Sequence, residues 1–182
     1  MVRIAKNERF PQEAARTGRY PIGNEETQFR ALVSRSEEDH VMPMIDVYVP
    51  SDLFPAGADR EVAQDLTLAL LRAEGVQQPA PVQLNNTAAY IHRLNPAAVH
   101  TAGTASARTA RIQVLTPPGA LNRTGQKSFV ADATAIVARI AGDPTQGTRT
   151  WVLLTEAVEG GWGIGGTAFG REEFAALAAK KK

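Results

Sequence analysis

Two stretches of the chain show the same succession of a strand-like and a helix-like pattern. In the first, Ile45, Val47 and Val49 alternate with residues of more polar character, a spacing of two that is typical of a β-strand with one buried face. In the second, Ile112 and Val114 alternate in the same way. Each strand is followed by a turn that contains proline and then by apolar residues at helical spacing. The pattern therefore predicts two β-α units.

Each predicted helix ends at a glycine, and a further apolar segment then closes the unit. Gly75 and Gly142 follow the two helices, where a residue with positive φ commonly ends a helix. The closing strands are predicted at residues 87–94 and 150–156. The apolar stripes of the helices are Val62, Leu66, Leu70 and Ala73 in the first, and Phe129, Ala133, Ile136, Val137 and Ile140 in the second.

A shift of the sequence by 67 positions superimposes the two units, since it aligns Ile45 with Ile112 and Gly75 with Gly142. A right-handed crossover would make the two strands within each unit parallel. The predicted fold class is therefore α+β. It is a tandem β-α-β repeat, with units at about 43–94 and 111–166, forming a four-stranded mixed sheet with two helices on one face.

The other face of that sheet is predicted to carry Asp46, Tyr48, Gln113 and Leu115. This set is too apolar for full exposure and too polar for a sealed core. An open sheet face of this kind favours burial against other subunits. An oligomer is expected.

Composition excludes several classes of function. The 182 residues carry 20 basic and 19 acidic side chains, so nothing indicates the basic surface of a nucleic-acid-binding protein. No apolar run approaches the ~20 residues that span a bilayer, and no hydrophobic signal region begins the chain. There is no cysteine, and the histidines have no metal-ligand spacing. We expect a soluble cytoplasmic protein that binds no metal or cofactor, no nucleic acid and no membrane.

Residues 1–42 differ from the rest of the chain. They contain as many acidic as basic residues and no sustained apolar periodicity, so they are expected to be a disordered or over-annotated extension. In a GC-rich gene the codons for Glu37, Glu38 and Asp39 would include a purine-rich ribosome-binding sequence. That sequence would lie a short distance upstream of the Met42 codon. Translation from Met42 and removal of that methionine would give Pro43 a free secondary amine.

The segment TEAVEGGWGIGG, at 155–166, closes the second unit. Its glycines follow a strand and open no helix, which argues against a dinucleotide-binding loop. The pattern T-E-x5-aromatic-G-I-G-G resembles the closing segment of the tautomerase superfamily, and Met42-Pro43 before an alternating strand is similar to that superfamily's start. The tandem repeat resembles its fused, macrophage migration inhibitory factor-like members. The resemblance covers residues 43–170.

What the resemblance implies is a homotrimer with an N-terminal proline at the floor of each pocket. Elementary chemistry agrees with that implication. A free α-amine has a pKa of about 7.7–8.0, and an apolar pocket lowers it. Pro43 is therefore expected to act as the general base for keto-enol tautomerisation of a small 2-oxo acid or its enol.

Further residues are expected to bind the substrate's carboxylate and shape the pocket. Arg123 lies near the family's carboxylate-binding arginine, and Arg111, equivalent to Met44 in the repeat, would lie near Pro43 if the repeats are pseudo-symmetric. Trp162 stands where the family has an aromatic wall, and Tyr90 and His92 share one strand face. Where single-unit relatives carry a second arginine, this chain has Trp151, so a monoacid fits better than a diacid. The candidate site is Pro43, Arg123, Arg111, Trp162, Tyr90 and His92, with Arg108 a weaker alternative.

Two other functions stay open at this point. The same fold could support decarboxylation, or hydration with dehalogenation, of a three-carbon acid if Pro43 is cationic. If residues 1–42 are retained, residue 43 has no amine, and the module would be a non-catalytic trimeric binding protein.

Overall fold

The computed structural model describes residues 43–170, 172, 173 and 176, so the predicted extension lies outside the described residues. Four strands form one mixed sheet in the order β2-β1-β3-β4. They are β1 (Met44–Pro50), β2 (Ala88–Leu94), β3 (Ala110–Thr116) and β4 (Thr150–Glu156). The outer pairs, β1 with β2 and β3 with β4, are parallel, and the central pair is antiparallel. The predicted tandem β-α-β architecture is confirmed.

The two units are related by an approximate twofold axis through the centre of the sheet. Asp46 pairs with Gln113 across the central strands, and these two residues are also equivalent in the 67-residue repeat. Met44 pairs with Leu115, and Tyr48 pairs with Arg111. Equivalent positions away from the Asp46–Gln113 pair therefore lie towards opposite ends of the sheet.

Two long helices, α1 (Asp59–Ala73) and α3 (Arg123–Ala141), cover one face of the sheet and run antiparallel. Near the end of α3, Arg139 contacts both Glu61 (2.6 Å) and Asp65, which lie near the start of α1. At the other end, a Cβ on Gly125 would collide with the carbonyl oxygen of Ala73, so only glycine permits this close approach.

The helices end where the sequence predicted. Gly142 has φ of 65° and caps α3 in the left-handed conformation, and Gly75, just beyond α1, has φ of 94°. A short helix that the sequence did not reveal, α2 (Pro81–Asn86), precedes β2. After β4 the chain forms a two-stranded hairpin, β5 (Trp162–Ile164) with β6 (Thr167–Phe169).

The hydrophobic core lies between the sheet and the two long helices. The inward side chains of β1 and β3 and most of the helical stripes are buried, and Ala73 and Ile136 pack against them while partly exposed. All residues of this core cluster fall between Ile45 and Ile140. A chain that begins at Pro43 therefore keeps the whole of it. None of the described helices is both long and apolar enough to cross a membrane.

Candidate active site

One end of the sheet collects several of the segments that the sequence marked as functional. Strands β1 and β2 begin there, and β3 and β4 end there, because the outer pairs are parallel and the central pair is antiparallel. Helix α1 ends there, α3 begins there, and the chain leaves β4 there towards the β5–β6 hairpin. We call this the Pro43 end.

Pro43 lies directly before β1 and is buried. The next residue, Met44, pairs with Ala88 of β2 on one side and with Leu115 of β3 on the other. Thr87 and Thr116, one step further along those strands, are therefore the neighbours of Pro43, since adjacent strands lie about 4.8 Å apart. Both are buried, with exposed fractions of 7% and 2%.

Arg123 is the first residue of α3 and is exposed. The N-terminus of this helix is capped by Asn122, whose side chain accepts from the N–H of Gly125 at 2.9 Å. Arg123 donates to Oε1 of Gln126 at 3.3 Å and has no ion pair with a described residue. A cation at a helix N-terminus, at the Pro43 end, suits a carboxylate.

Trp162 begins β5 and is 7% exposed, so it is a packed aromatic residue. Its strand neighbour in the hairpin is Phe169. The indole Nε1 is buried and has no hydrogen-bond partner among the described residues. Trp162 therefore offers both an apolar surface and an unused donor.

Glu74 is a feature of the Pro43 end that the sequence did not indicate. It caps the C-terminus of α1, and both of its carboxyl oxygens are buried without a partner in the described part of the chain. Burial raises the pKa of Glu74 to about 8, because desolvation disfavours the charged carboxylate. At neutral pH this side chain is mostly a neutral carboxylic acid that can donate a hydrogen bond.

Arg111, His92 and Tyr90 lie on the face of the sheet opposite the two long helices, Arg111 and His92 beside Tyr48 and Tyr90 beside Asp46. His92 Nε2 is 2.6 Å from Asp46 Oδ1, and the His92 ring stacks on Tyr48 with centroids 4.3 Å apart and planes 7° from parallel. The guanidinium of Arg111 lies 4.2 Å from the centroid of the Tyr48 ring. We call these four side chains the sheet-face stack. The sequence placed Asp46 and Tyr48 on this face but did not indicate their contacts.

The expectation that Arg111 lies near Pro43 of the same chain is wrong. Arg111 pairs with Tyr48, five residues along β1 from Pro43, which is about 16 Å at 3.3 Å per residue. The first strands of the two units are antiparallel neighbours, so residues equivalent in the repeat lie at opposite ends. His92 also pairs with Tyr48, and Tyr90 pairs with Asp46 and is 52% exposed.

Other arginines have structural contacts. Arg108 forms an ion pair with Asp52 at 2.7 Å, away from the Pro43 end. Arg93 donates to the carbonyls of Ser51, Phe54 and Pro55, and so holds the loop that joins β1 to α1. In the described part of the chain, no three side chains of His, Asp or Glu come together as a metal site.

Solved structures with the same fold are numerous. A fused 4-OT that forms a symmetric trimer is 18% identical, with a TM-score of 0.58 over 73% of this chain and 98% of that chain. A fused 4-OT that forms an asymmetric trimer is 21% identical, with a TM-score of 0.57 over 69% and 94%. A macrophage migration inhibitory factor-like protein from Entamoeba histolytica is 17% identical, with a TM-score of 0.56 over 70% and 99%.

These similarities establish the fold. The chain has the tautomerase/macrophage migration inhibitory factor-like fold, in its tandem form. No protein-family model and no curated protein matches the sequence.

Proposed function

We propose that the mature protein begins at Pro43 and is a homotrimeric enzyme. The nitrogen of Pro43 is the general base for keto-enol tautomerisation of a small 2-oxo acid or its enol. The observation that carries this proposal is the position of Pro43, buried at the start of a central strand in a tautomerase-like fold. Two of the similar structures are described as trimers, which supports the proposed assembly.

Pro43 is buried at the start of β1, and burial suits a neutral amine. An apolar, water-excluding environment disfavours the ammonium form and so lowers the pKa of an α-amine below about 7.7–8.0. A base with a pKa near the working pH takes a proton from the carbon next to a carbonyl most effectively. The conjugate acid can then return the proton to the other end of the enol system.

Arg123 is the residue that we propose binds the substrate's carboxylate. It is exposed, lies at the Pro43 end and has no acidic partner among the described residues, whereas Arg108 is paired with Asp52. Arg111 would reach a pocket only from a neighbouring subunit, because in its own chain it lies at the far end of β1. His92 and Tyr90 are proposed to line that same subunit contact.

The preferred substrate is a monoacid with an apolar or aromatic group. The residue beside Met44 at the start of β2 is Ala88, which brings no charge and little bulk to the Pro43 end. Its equivalent in the second unit, Trp151, pairs with Arg111 at the other end. A second carboxylate would therefore find no cation from either of these positions.

Two measurements test the proposal. The intact mass of protein from its native host should correspond to residues 43–182, and protein that begins at Pro43 should tautomerise phenylenolpyruvate. Retention of Met42 converts the Pro43 amine into an amide without altering the side chain of Pro43, so it tests the amine separately from the ring that Pro43→Ala removes. Both changes should remove the activity. Full activity with Met42 retained would overturn the mechanism, and a mass of the full chain would favour a binding protein.

A titration distinguishes the alternative reactions. If the Pro43 nitrogen remains cationic well above neutral pH, it serves as an acid, as decarboxylation or hydration of a three-carbon acid requires. If it is neutral near pH 7, the tautomerase proposal holds.

A further inference from the structure

Among the described residues, three side chains have buried polar atoms without a hydrogen-bond partner. They are Glu74, Thr87 and Trp162. Glu74 and Thr87 lie in segments at the Pro43 end, the C-cap of α1 and the residue before β2, and Trp162 lies at the start of β5. Because native proteins satisfy the great majority of buried polar groups, these atoms require an explanation.

Thr87 is the one that lies next to Pro43. It directly precedes Ala88 as Pro43 directly precedes Met44, and Met44 and Ala88 are parallel strand partners. The backbone N–H of Thr87 is used, since it donates to the carbonyl of Gln83 at 2.9 Å. The hydroxyl has no partner among the described residues.

The second unit contains a natural comparison. Thr150 precedes Trp151 as Thr87 precedes Ala88, and buried Gln146 stands four residues before Thr150 as buried Gln83 stands four residues before Thr87. There the hydroxyl of Thr150 donates to the carbonyl of Gln146 at 3.0 Å. The hydroxyl of Thr150 is therefore satisfied within the second unit. The hydroxyl of its equivalent in the first unit, Thr87, has no described partner and lies beside Pro43.

We propose that the Thr87 hydroxyl is a positioning group for the Pro43 nitrogen, accepting a hydrogen bond from its protonated form. The inference rests on the proposed function, since it requires the free amine at Pro43. One hydrogen of the ammonium is then held by Thr87, and the other faces the substrate and returns to carbon. The hydrogen bond also favours the cation, opposing the effect of burial on the amine.

The test uses protein that begins at Pro43, with Thr87→Val, Thr87→Ser and, as the matched control, Thr150→Val. The readouts are the pH dependence of kcat/KM and the ¹⁵N titration of the Pro43 nitrogen. Thr87→Val should lower the apparent pKa of Pro43 by about one unit, the size expected for one hydrogen bond to a charged group. Thr87→Ser should restore it, and Thr150→Val should match the wild type.

The stability of Thr87→Val separates the proposed role of Thr87 from a role in holding the fold together. Valine matches the shape of threonine, and the hydroxyl bonds to no described residue of the fold, so Thr87→Val should unfold at a temperature close to that of the wild type. Should valine nevertheless prevent folding, Thr87→Ala provides the same pKa readout. An unchanged or raised pKa with Pro43 still active would overturn the role of Thr87 alone. Replacement of Pro43 without loss of tautomerase activity would instead overturn the proposed function.

Discussion

Asp46 and His92 form a hydrogen-bonded pair across β1 and β2, with Oδ1 and Nε2 2.6 Å apart on the sheet face opposite the two long helices. Tyr48 stacks on the same imidazole, and Arg111 lies over Tyr48, so four polar or aromatic side chains form one ordered layer. The pair is only partly buried in a single chain, with 33% of the Asp46 side chain and 40% of the His92 side chain exposed. In the proposed trimer this layer would lie in the subunit contact.

The first prediction concerns that pair. His92→Ala leaves the Asp46 carboxylate without its partner, and a buried group that loses its partner costs about 1–3 kcal/mol. We therefore expect the concentration at which the trimer dissociates to rise about tenfold or more, measured by sedimentation equilibrium. Arg108→Ala, which breaks an ion pair of similar length outside the sheet-face stack, is the control. Equal dissociation of the two variants would contradict an interfacial role for the sheet-face stack.

A second prediction concerns the apolar residues of the same face. Met44, Tyr90, Leu94, Trp151 and Leu153 are all more than a third exposed and all lie on this face. Leu153→Lys places an unpaired charge in the proposed contact, at a cost of several kcal/mol. The trimer should become a monomer at micromolar concentration, as light scattering with size exclusion would report. Val158→Lys is the control, since Val158 is 78% exposed and lies outside the four-stranded sheet.

Short-range patterns of the sequence predict much of this fold. Alternation marked β1 and β3, helical spacing marked the stripe from Val62 to Leu70, and glycine marked both helix ends. These features depend on local backbone preference and on one buried face, which a single sequence displays.

The contacts between distant segments were not visible in the same way. The repeat shows that Arg111 is equivalent to Met44, but it does not show that their strands run antiparallel, and so Arg111 was expected at the wrong end. The partner of His92 depends on the register of β1 against β2. The burial of Glu74 depends on how the end of α1 packs. A polar residue's spacing along the chain carries no such information.

The third prediction tests the carboxylate-binding residue. Arg123→Gln removes the charge at the start of α3 but keeps a hydrogen-bonding side chain. A charged hydrogen bond contributes about 1.5–3 kcal/mol, so KM for phenylenolpyruvate should rise roughly 10- to 100-fold with a smaller change in kcat. Arg108→Gln should behave as the wild type. Unchanged KM in Arg123→Gln would assign carboxylate binding to another cation, with Arg111 of a neighbouring subunit the next to replace.

The last prediction concerns the stability of the fold as a function of pH. Burial raises the pKa of Glu74 from 4.5 to about 8, so the folded state holds a proton there that the unfolded chain releases at lower pH. Between about pH 4.5 and pH 8 the free energy of unfolding should therefore fall as pH rises, because the folded state binds more protons. The stabilisation is fully present below pH 4.5 and lost above pH 8, and on this scale it is on the order of a few kcal/mol.

Glu74→Gln keeps the shape of the neutral acid and cannot ionise. Urea unfolding at pH 5, 7 and 9 should show that the difference in stability between this variant and the wild type grows with pH, in favour of the variant. Glu156→Gln, at an exposed carboxylate at the end of β4, is the matched control for the loss of one carboxylate. If the stabilities of the wild type and of Glu74→Gln changed with pH in parallel, Glu74 would ionise at its ordinary pKa. The carboxyl, buried without a described partner, could do so only after a rearrangement at the end of α1.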